Sequence, residues 1–497
     1  MPAMPLGKAT FPMRLGERVP TDHALVAIVI AIAICARIVS FGYLSSLAAH
    51  NPSAYPYPVI PGDSVHYAHW ADNILALHAY QDTPGVPLRA APPGYPALLA
   101  GAKALTGSQS AIVVVQILFT CLALALIYTM ARTLLPAYLA IVPALVYALD
   151  PVVILADTTL LTDGLFSALL VCIVYLAFFQ ERIKGLSRAA LVGLLLGGAI
   201  MLRPIGEFLV FVFPALYILQ EWMRKKEERE NAPRLKMLGA FLAACAIVVV
   251  PWMARNELIF HSFEISPLGG HNLLTYDVRG FLAWRSLEGT AHPLPAILVL
   301  RHVNDPVFAD VDKRIAHDLA SITPPGQDPQ SYEGALAVRY IAHDPLGYAY
   351  FDAVNTVPFF VASSLGSYGQ VIGQLRNNTD FYAPTSLSIL DAWHSIRRPE
   401  NIGQFLGALR AIAPVALEIA WWVLVALAAV IGLWSRRRDF AVLLCAVLVL
   451  YFAVLTGPMA AARYRIPAEP YLLILAAAGA YAIAQRASGR AVNASLA

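Results

Sequence analysis

The chain has 497 residues, of which 58% are hydrophobic and only 13% are charged. Ordinary soluble domains carry about 25% charged residues, so this composition excludes a soluble protein of such length and favours an integral membrane protein. The formal net charge of +3 is small, and the sequence has no basic stripe with interleaved aromatic residues, which argues against nucleic acid as a partner.

Apolar segments long enough to cross a bilayer recur along the chain. A transmembrane helix needs about 20 mostly apolar residues, and about ten segments meet this rule. The first runs from about Ala24 to Leu47, and because no small-residue cleavage signal follows it, we interpret it as a retained span. The sequence therefore predicts an all-α polytopic membrane protein with about ten or more transmembrane helices. The later segments begin near Ala111, Ala137, Leu160, Ala189, Ile205, Leu238, Ile412, Phe440 and Ile466.

Basic residues are concentrated in alternate short loops of this pattern. They lie before the first span, in the loops 180–188 and 221–236, in the turn 436–438 and in the tail after residue 485. With about ten spans, all of these loops fall on one side, which the positive-inside rule assigns to the cytoplasm. The sequence thus predicts a multi-pass protein of the cell membrane whose two large polar segments lie outside.

The two outer segments divide the chain into three parts. Residues 1–254 form a predicted transmembrane catalytic module that includes a first outer loop at 50–107. Residues 255–410 form a non-cytoplasmic loop domain, and residues 411–497 supply the C-terminal transmembrane helices and a short cytoplasmic tail. Within the loop domain, the moderately apolar stretch 345–371 is either an amphipathic or re-entrant segment or a hidden pair of helices.

The first outer loop contains a short amphipathic helix that begins at an acidic residue. Asp63 lies at its predicted N-cap, and Tyr67 and Trp70 follow on one face. Helix capping and a catalytic role are both open for Asp63 at this point. His66 and His69 have a spacing that could bind a metal, but packing in an aromatic belt is the simpler interpretation.

Further polar groups flank the next spans. The stretch 89–96, which includes Tyr95, is predicted to form a rigid turn whose prolines direct the chain into the second span. Asp163 begins an apolar helix, where capping is again an alternative, whereas Asp157 lies in a mixed apolar turn. Carboxylates so close to a membrane are costly and are therefore candidates for function.

Four arginines lie at the outer ends of spans, against the charge bias of the short loops: Arg203, Arg255, Arg463 and Arg465. Arginine presents a fixed fork of donors that matches phosphate oxygens. We therefore interpret the group as a binding site for an anionic lipid headgroup. Snorkelling at the interface is the alternative for any single one of them.

One carboxylate and several arginines suffice for a simple reaction. The arginines would hold a lipid phosphate as the leaving group, and Asp63 would act as general base on an incoming hydroxyl. This scheme suits sugar transfer from a lipid-phosphate donor. It needs no nucleotide site, and the sequence contains neither a Walker loop nor a dinucleotide fingerprint.

Short motifs in a fixed order resemble a known family. They are Gly62-Asp63 with Tyr67, Pro93-Gly94-Tyr95-Pro96, Leu202-Arg203-Pro204, Pro251-Trp252 with Arg255-Asn256, Gly269-Gly270-His271-Asn272-Leu273 and Arg463-Tyr464-Arg465-Ile466-Pro467. Through these motifs the chain resembles the GT-C fold glycosyltransferases of the bacterial protein mannosyltransferase and aminoarabinose transferase type, a glycosyltransferase family 39-like group. The motifs extend over nearly the whole chain.

The resemblance implies a GT-C type helical bundle and an inverting transferase that takes a sugar from a polyprenyl-phosphate donor. The acceptor would be a lipid, a glycan or a protein. The resemblance further implies a bacterial inner membrane, with the active site facing the periplasm. Asp63 matches the family's catalytic aspartate of the first loop, and the four arginines, Tyr67, Tyr95, Asp157 and Asp163 become substrate-binding candidates.

A departure from the family pattern bears on metal binding. Many relatives carry a second acidic residue directly after the catalytic aspartate, where this chain has Ser64. The sequence thus leaves a divalent metal open without supporting one, with His66, Asp157 and Asp163 as candidate ligands. Asp157 and Asp163 both lie where relatives keep an acidic residue, and both interpretations stand.

Two other functions share part of this pattern. A transporter or flippase of an anionic lipid would use the outer arginines, but it predicts polar residues within spans and paired discontinuous helices. We interpret the spans as apolar through their middles. A ligase or polymerase that joins whole lipid-linked glycans would also use the arginines, and the size of the transferred group would distinguish it.

Overall fold

The computed structural model describes residues 20–51, 55–180, 182–224, 234–286, 306–377 and 402–495. Within these ranges the chain is helical almost throughout, and its strands form one two-stranded hairpin. Several of the helices are long and apolar enough to span a membrane. The prediction of an all-α polytopic membrane protein is therefore confirmed.

The N-terminal half combines long apolar helices with the short elements of the first loop, 50–107, which the sequence predicts to lie outside. The strands of that loop pair antiparallel, with Gln81 opposite Pro87. In chain order the elements are α1 (Pro20–Ala49), α2 (Asp63–Leu77), β1 (Gln81–Thr83), β2 (Val86–Pro87), α3 (Gly94–Thr106), α4 (Ala111–Ala131), α5 (Ala137–Leu149), α6 (Pro151–Thr158), α7 (Asp163–Phe178), α8 (Gly185–Leu202), the 3-10 turn Pro204–Gly206, α9 (Leu209–Met223) and α10 (Arg234–Phe260).

The C-terminal half begins with short helices and ends with long ones. Its elements are α11 (Leu268–Asn272), the π-helical turn Leu273–Val278, α12 (Arg279–Ser286), α13 (Pro306–Ile322), the 3-10 turn Pro329–Tyr332, α14 (Glu333–His343), α15 (Pro345–Asn355), α16 (Val357–Val361), α17 (Ser364–Asn377), α18 (Ile402–Ser435), α19 (Phe440–Thr456), the 3-10 turn Gly457–Met459, α20 (Ala462–Arg465) and α21 (Glu469–Ser495). The stretch 345–371 thus forms α15, α16 and the start of α17. Helices α10 and α18 each continue across a predicted domain boundary, at residues 254 and 411.

Each of the segments predicted as spans corresponds to a helix. Within the described ranges, seven helices are long and apolar enough to cross a membrane. The pair α5 and α6, bent by 56° at Asp150, makes an eighth when it is counted as one span. Helix α7 has only 16 residues, and α21 begins and ends with polar residues, so neither is among the seven.

A buried ion pair interrupts the apolar interior of the bundle. Arg37, in the middle of α1, donates to Asp157 on α6 at 2.8 Å, and both side chains are fully buried. Arg37 also donates to the carbonyl of Ala148 at 2.9 Å. The interpretation of the spans as apolar through their middles is therefore wrong for α1. Asp157 lies in a helix rather than in a turn, because Asp150 caps that helix at its start.

The bundle separates Arg132 and Arg436 from α2, the first helix after α1. Arg132, after α4, lies 3.5 Å from Asp22 at the start of α1, and Arg436, after α18, donates to the carbonyl of Leu134 at 2.8 Å. Helix α1 runs from this end to the other, where α2 follows it. The site described next lies at that second end.

Candidate active site

Four charged side chains converge where α2, α7, α8 and α20 meet. Arg463 Nη2 lies 2.7 Å from Asp63 Oδ2, and Arg463 Nε lies 2.9 Å from Asp163 Oδ2. Arg203 Nη1 donates to the other oxygen of Asp163. Asp163 is fully buried, whereas the side chain of Asp63 is 47% exposed and that of Arg463 is 23% exposed. The cluster thus combines an accessible carboxylate, Asp63, with a buried one, Asp163.

Local backbone signals place the members of this cluster. Asp63 is the first residue of α2 and follows Gly62, whose φ of 93° favours glycine. The N-cap is Gly62, without a side-chain capping bond, so the predicted N-cap position of Asp63 is wrong and its carboxylate contacts Arg463 instead. Arg203 is extended and ends α8, because Pro204 disfavours a helical conformation in the residue before it.

The first loop is packed directly against the end of α8. A Cβ atom on Gly94 would collide with the carbonyl of Met201, two residues before Arg203. Glycine at the start of α3 therefore allows the two backbones to touch. This contact fixes the first loop relative to Arg203.

Aromatic side chains surround the charged cluster. Tyr67 lies one turn into α2, and its ring meets that of Tyr95 edge-on, with ring centres 5.2 Å apart. Tyr95 is fully buried and donates to Gln116 Oε1 at 2.7 Å. Tyr464 lies beside Arg203, whose guanidinium carbon is 5.8 Å from the centre of the tyrosine ring. Tyr67 is thus at the site, while Tyr95 supports it from behind.

The arginines keep Asp63 ionised. Burial opposes its charged form, but the Arg463 guanidinium, with Arg203 behind it, outweighs burial and lowers the pKa of Asp63 below its usual range. Burial, followed by the neighbouring Asp63 carboxylate, raises the pKa of Tyr67, so this phenol is neutral at physiological pH. The site therefore offers a carboxylate that accepts protons and a hydroxyl that donates hydrogen bonds.

Two of the four predicted arginines do not join this cluster. Arg255 donates to the carbonyl of Leu88 at 2.6 Å, and its guanidinium carbon lies 4.6 Å from the centre of the Trp252 ring. Arg465 is fully buried and donates to the carbonyl of Ala362 at 2.9 Å. The structure thus brings Arg203 and Arg463 together and leaves the other two in separate surroundings.

The candidate metal ligands are dispersed. His66 is exposed and stacks on Trp70, with ring centres 5.6 Å apart. Asp157 is bound by Arg37, and both oxygens of Asp163 accept hydrogen bonds from arginines. Among the described residues, no group of three or more His, Cys, Asp or Glu side chains is arranged to hold a metal.

Sequence reasoning missed two sets of ionisable residues. Arg37 could have been found from the sequence, because a charged residue inside an apolar span indicates a buried partner or a functional role. Asp277 and Asp352 both approach Gly457 at the end of α19. They come from separate parts of the outer segment, and no shared sequence pattern marks them.

Comparisons with known proteins bear on the N-terminal half. Residues 90–253 match the family described as dolichyl-phosphate-mannose-protein mannosyltransferase. This range is about a third of the chain and contains Tyr95, Asp163 and Arg203 from the site and its surroundings.

Solved structures similar to the chain include two membrane enzymes. The archaeal oligosaccharyltransferase AglB from Archaeoglobus fulgidus, in complex with an inhibitory peptide and a dolichol-phosphate, is 11% identical, with a TM-score of 0.45 over 96% of this chain and 52% of that one. ArnT from Cupriavidus metallidurans, bound to undecaprenyl phosphate, is 15% identical, with a TM-score of 0.38 over 94% of this chain and 79% of that one. The chain thus spans about half the length of AglB. The match over residues 90–253 confirms, for this part of the chain, the resemblance to protein mannosyltransferases that the motifs predicted.

Proposed function

We propose that the protein is an inverting glycosyltransferase that moves a sugar from a polyprenyl-phosphate donor to a hydroxyl of a lipid, glycan or protein acceptor. The arrangement of Asp63, Arg463 and Arg203 is the observation that supports this most. It places an ionised, accessible carboxylate beside two guanidinium groups. Transfer from a lipid phosphate requires a general base and cations that stabilise an anionic leaving group.

In this reaction Arg203 and Arg463 hold the phosphate of the donor. Asp63 accepts the proton of the acceptor hydroxyl as its oxygen attacks the anomeric carbon. The bond between the anomeric carbon and the phosphate oxygen breaks, and the lipid phosphate leaves with the electron pair, stabilised by the arginines. Attack from the face opposite the leaving group inverts the anomeric centre. Tyr67 lies close enough to Asp63 on α2 to hydrogen-bond the sugar.

Donor binding also prepares the base. Arg463 donates to Asp63 and Asp163 at once. A donor phosphate competes for these donors, and weakening of the contact with Arg463 raises the pKa of Asp63 towards its ordinary value. Asp63 therefore becomes a stronger base when the donor is in place.

The proposed reaction takes place on the outer face of a bacterial inner membrane, towards the periplasm. Arg132 and Arg436, which lie at the opposite end of the bundle, support this orientation. The lipid chain of the donor would lie against the apolar membrane helices. Residues 255–410 would shape the choice of acceptor, since loops carry specificity on a helical scaffold.

A second candidate is a flippase for an anionic lipid. The buried pair of Arg37 and Asp157 favours it, because ionisable residues within spans often mark transport paths. This function predicts movement of a labelled headgroup across a liposome membrane without release of sugar.

The test is consumption of undecaprenyl-phosphate hexoses and pentoses by the purified protein in liposomes, with a bacterial membrane extract as the source of acceptors. Asp63→Asn is expected to lower the rate about 1,000-fold, because an amide cannot accept the proton. Asp72→Asn is the matched control, since Asp72 lies on the same helix and pairs with Lys103 at 2.7 Å. Undiminished transfer by Asp63→Asn, or headgroup movement without sugar release, would contradict the proposal.

A further inference from the structure

Helix α20 is a single turn that carries two arginines in different surroundings. Arg463 reaches Asp63 and Asp163 at 2.7 and 2.9 Å. Arg465, two residues later, has no exposed side-chain surface. Positions two apart on a helix are separated by about 200°, so one side chain faces the site while the other enters the bundle.

Arg465 is held by polar groups and by an aromatic ring. Its Nη1 donates to the carbonyl of Ala362 at 2.9 Å, and its Nη2 donates to Ser364 Oγ at 3.1 Å. Its guanidinium carbon lies 3.6 Å from the centre of the Trp422 ring. These partners belong to the end of α16, the start of α17 and α18, so one side chain ties α20 to three other elements.

Buried carboxylates complete this network. Asp150 Oδ2 lies 4.0 Å from Arg465 Nη2, and Glu469 Oε2 lies 3.6 Å from Arg465 Nε. Asp150 also accepts from Ser364 Oγ at 2.9 Å, and Glu418 accepts from the Ser364 N–H at 2.8 Å. The contacts of Arg465 with Asp150 and Glu469 are longer than hydrogen bonds, so they act through charge alone. The guanidinium fork donates to Ala362 and Ser364 at fixed angles, which a lysine ammonium cannot do.

We propose that Arg465 is a positioning residue: it orients the α20 turn so that Arg463 lies between Asp63 and Asp163. This inference rests on the proposed function, and it replaces the substrate-binding role predicted for Arg465. A helix of four residues is not stable alone, so its orientation depends on tertiary contacts. Without those contacts, the two aspartates would lose the cation that they share.

The test is Arg465→Lys in the donor-consumption assay, on the full chain in liposomes. We expect kcat to fall about 100-fold, because a displacement of about 1 Å in a reacting group has this effect. The KM for the donor should rise together with the loss of kcat, because the displaced Arg463 also holds the phosphate, and Arg203 alone remains in place. The acid limb of the pH profile of kcat/KM should move to higher pH, since Asp63 loses the stabilisation by Arg463.

Two further variants serve as a control and as an alternative to Arg465→Lys. Arg436→Lys is the matched control: Arg436 also donates to a backbone carbonyl and lies 5.8 Å from the centre of the Tyr481 ring, but at the other end of the bundle. It should leave kcat and the acid limb unchanged. Ser364→Ala covers the case in which Arg465→Lys fails to fold, and it should shift both quantities in the same direction by smaller amounts.

An unchanged kcat and acid limb in both Arg465→Lys and Ser364→Ala would overturn the positioning role. A raised donor KM at unchanged kcat would also overturn it, because it would assign Arg465 to donor binding. Asp63→Asn, measured beside them, separates this inference from the proposed function. If Asp63→Asn is inactive while Arg465→Lys is normal, only the positioning role fails; if Asp63→Asn transfers sugar normally, the proposed function itself fails.

Discussion

The molecule contains two pairs of neighbouring carboxylates. One pair lies at the candidate active site, and the other, the outer pair of Asp277 and Asp352, lies in the segment 255–410. At the active site, Asp63 and Asp163 share Arg463, and Asp163 also accepts from Arg203. Each negative charge there has a guanidinium partner. Partial burial acts to raise the pKa of Asp63, but Arg463 outweighs it and lowers that pKa below its usual range.

The outer pair has a different environment. Asp352 Oδ1 and Asp277 Oδ2 lie 2.6 and 3.6 Å from the position that a Cβ atom on Gly457 would take. Asp277 Oδ1 is buried without a hydrogen-bond partner. Burial, and then the charge of Asp352, raise the pKa of Asp277 well above its usual range, and burial raises the pKa of Asp352 to about 6.

The difference shows that proximity of two carboxylates does not decide their chemistry. With a shared cation, both groups are charged and one can serve as a base. Without one, burial and mutual repulsion raise the pKa of both groups, so the pair holds a proton that exposed carboxylates would release. Gly457 belongs to the same connection as Arg463, so the outer pair packs against the chain that carries the active-site cation.

The largest effect is expected when Arg463, the cation that Asp63 and Asp163 share, is removed. Arg463→Gln leaves Asp63 and Asp163 together without it, and the donor phosphate loses a ligand. We expect donor turnover in liposomes to fall about 1,000-fold. Arg437→Gln, at an exposed arginine in the turn after α18, is the control and should keep the wild-type rate. A loss of less than about tenfold for Arg463→Gln would remove it from the mechanism.

Replacing one acid in each pair should affect stability with opposite signs. Asp163→Asn removes a buried charge that faces two arginines and should lower the free energy of unfolding by about 3 kcal/mol. Asp277→Asn replaces a buried acid that must be protonated in the fold but is ionised in the unfolded chain, and it should raise the free energy of unfolding by about 1 kcal/mol at neutral pH. Thermal unfolding of both variants in the same detergent measures the difference. Equal losses would show that the outer pair is not under electrostatic strain.

The smallest expected effect is the pH dependence of the outer pair. Burial raises the pKa of Asp352 from 3.8 to about 6, so the folded protein holds a proton that the unfolded chain releases. Its contribution to stability is complete below the unfolded pKa and is lost as pH rises through the folded pKa. For a partly exposed group, the free energy of unfolding should fall by about 1 kcal/mol between about pH 5 and about pH 7.5.

Asp352→Asn should remove that part of the pH dependence, as measured by unfolding at the two pH values. Asp72→Asn, at a surface acid that pairs with Lys103, should leave it in place. A pH dependence that is the same in wild type and Asp352→Asn would assign the titration to other groups.

Local patterns predicted the long apolar helices, helix α2 and part of the site. Long apolar runs predict helices because only a helix satisfies its backbone within one segment of a membrane. The motif around Asp63 likewise predicted a helix that starts there, as found in α2. The same reasoning could not separate Arg463 from Arg465, because both lie on one short turn whose orientation is set by contacts with distant residues.

The choice between Asp157 and Asp163 shows the same limit of local information. Both follow the bend at Asp150 and look equivalent in the sequence. In the structure, Arg37 from α1 pairs with Asp157, whereas Arg463 from the other end of the chain pairs with Asp163. Such pairings join segments far apart in the chain, so no spacing rule reports them.

The backbone contact between Gly94 and Met201 also bears on the spacing of the candidate site. It joins the first loop to the end of α8, and so it links the helix that begins at Asp63 to Arg203. Under the proposed function, the general base and one phosphate ligand would therefore keep their separation while the donor binds and leaves. Turnover would then depend on the mobility of the lipid phosphate rather than on assembly of these two groups.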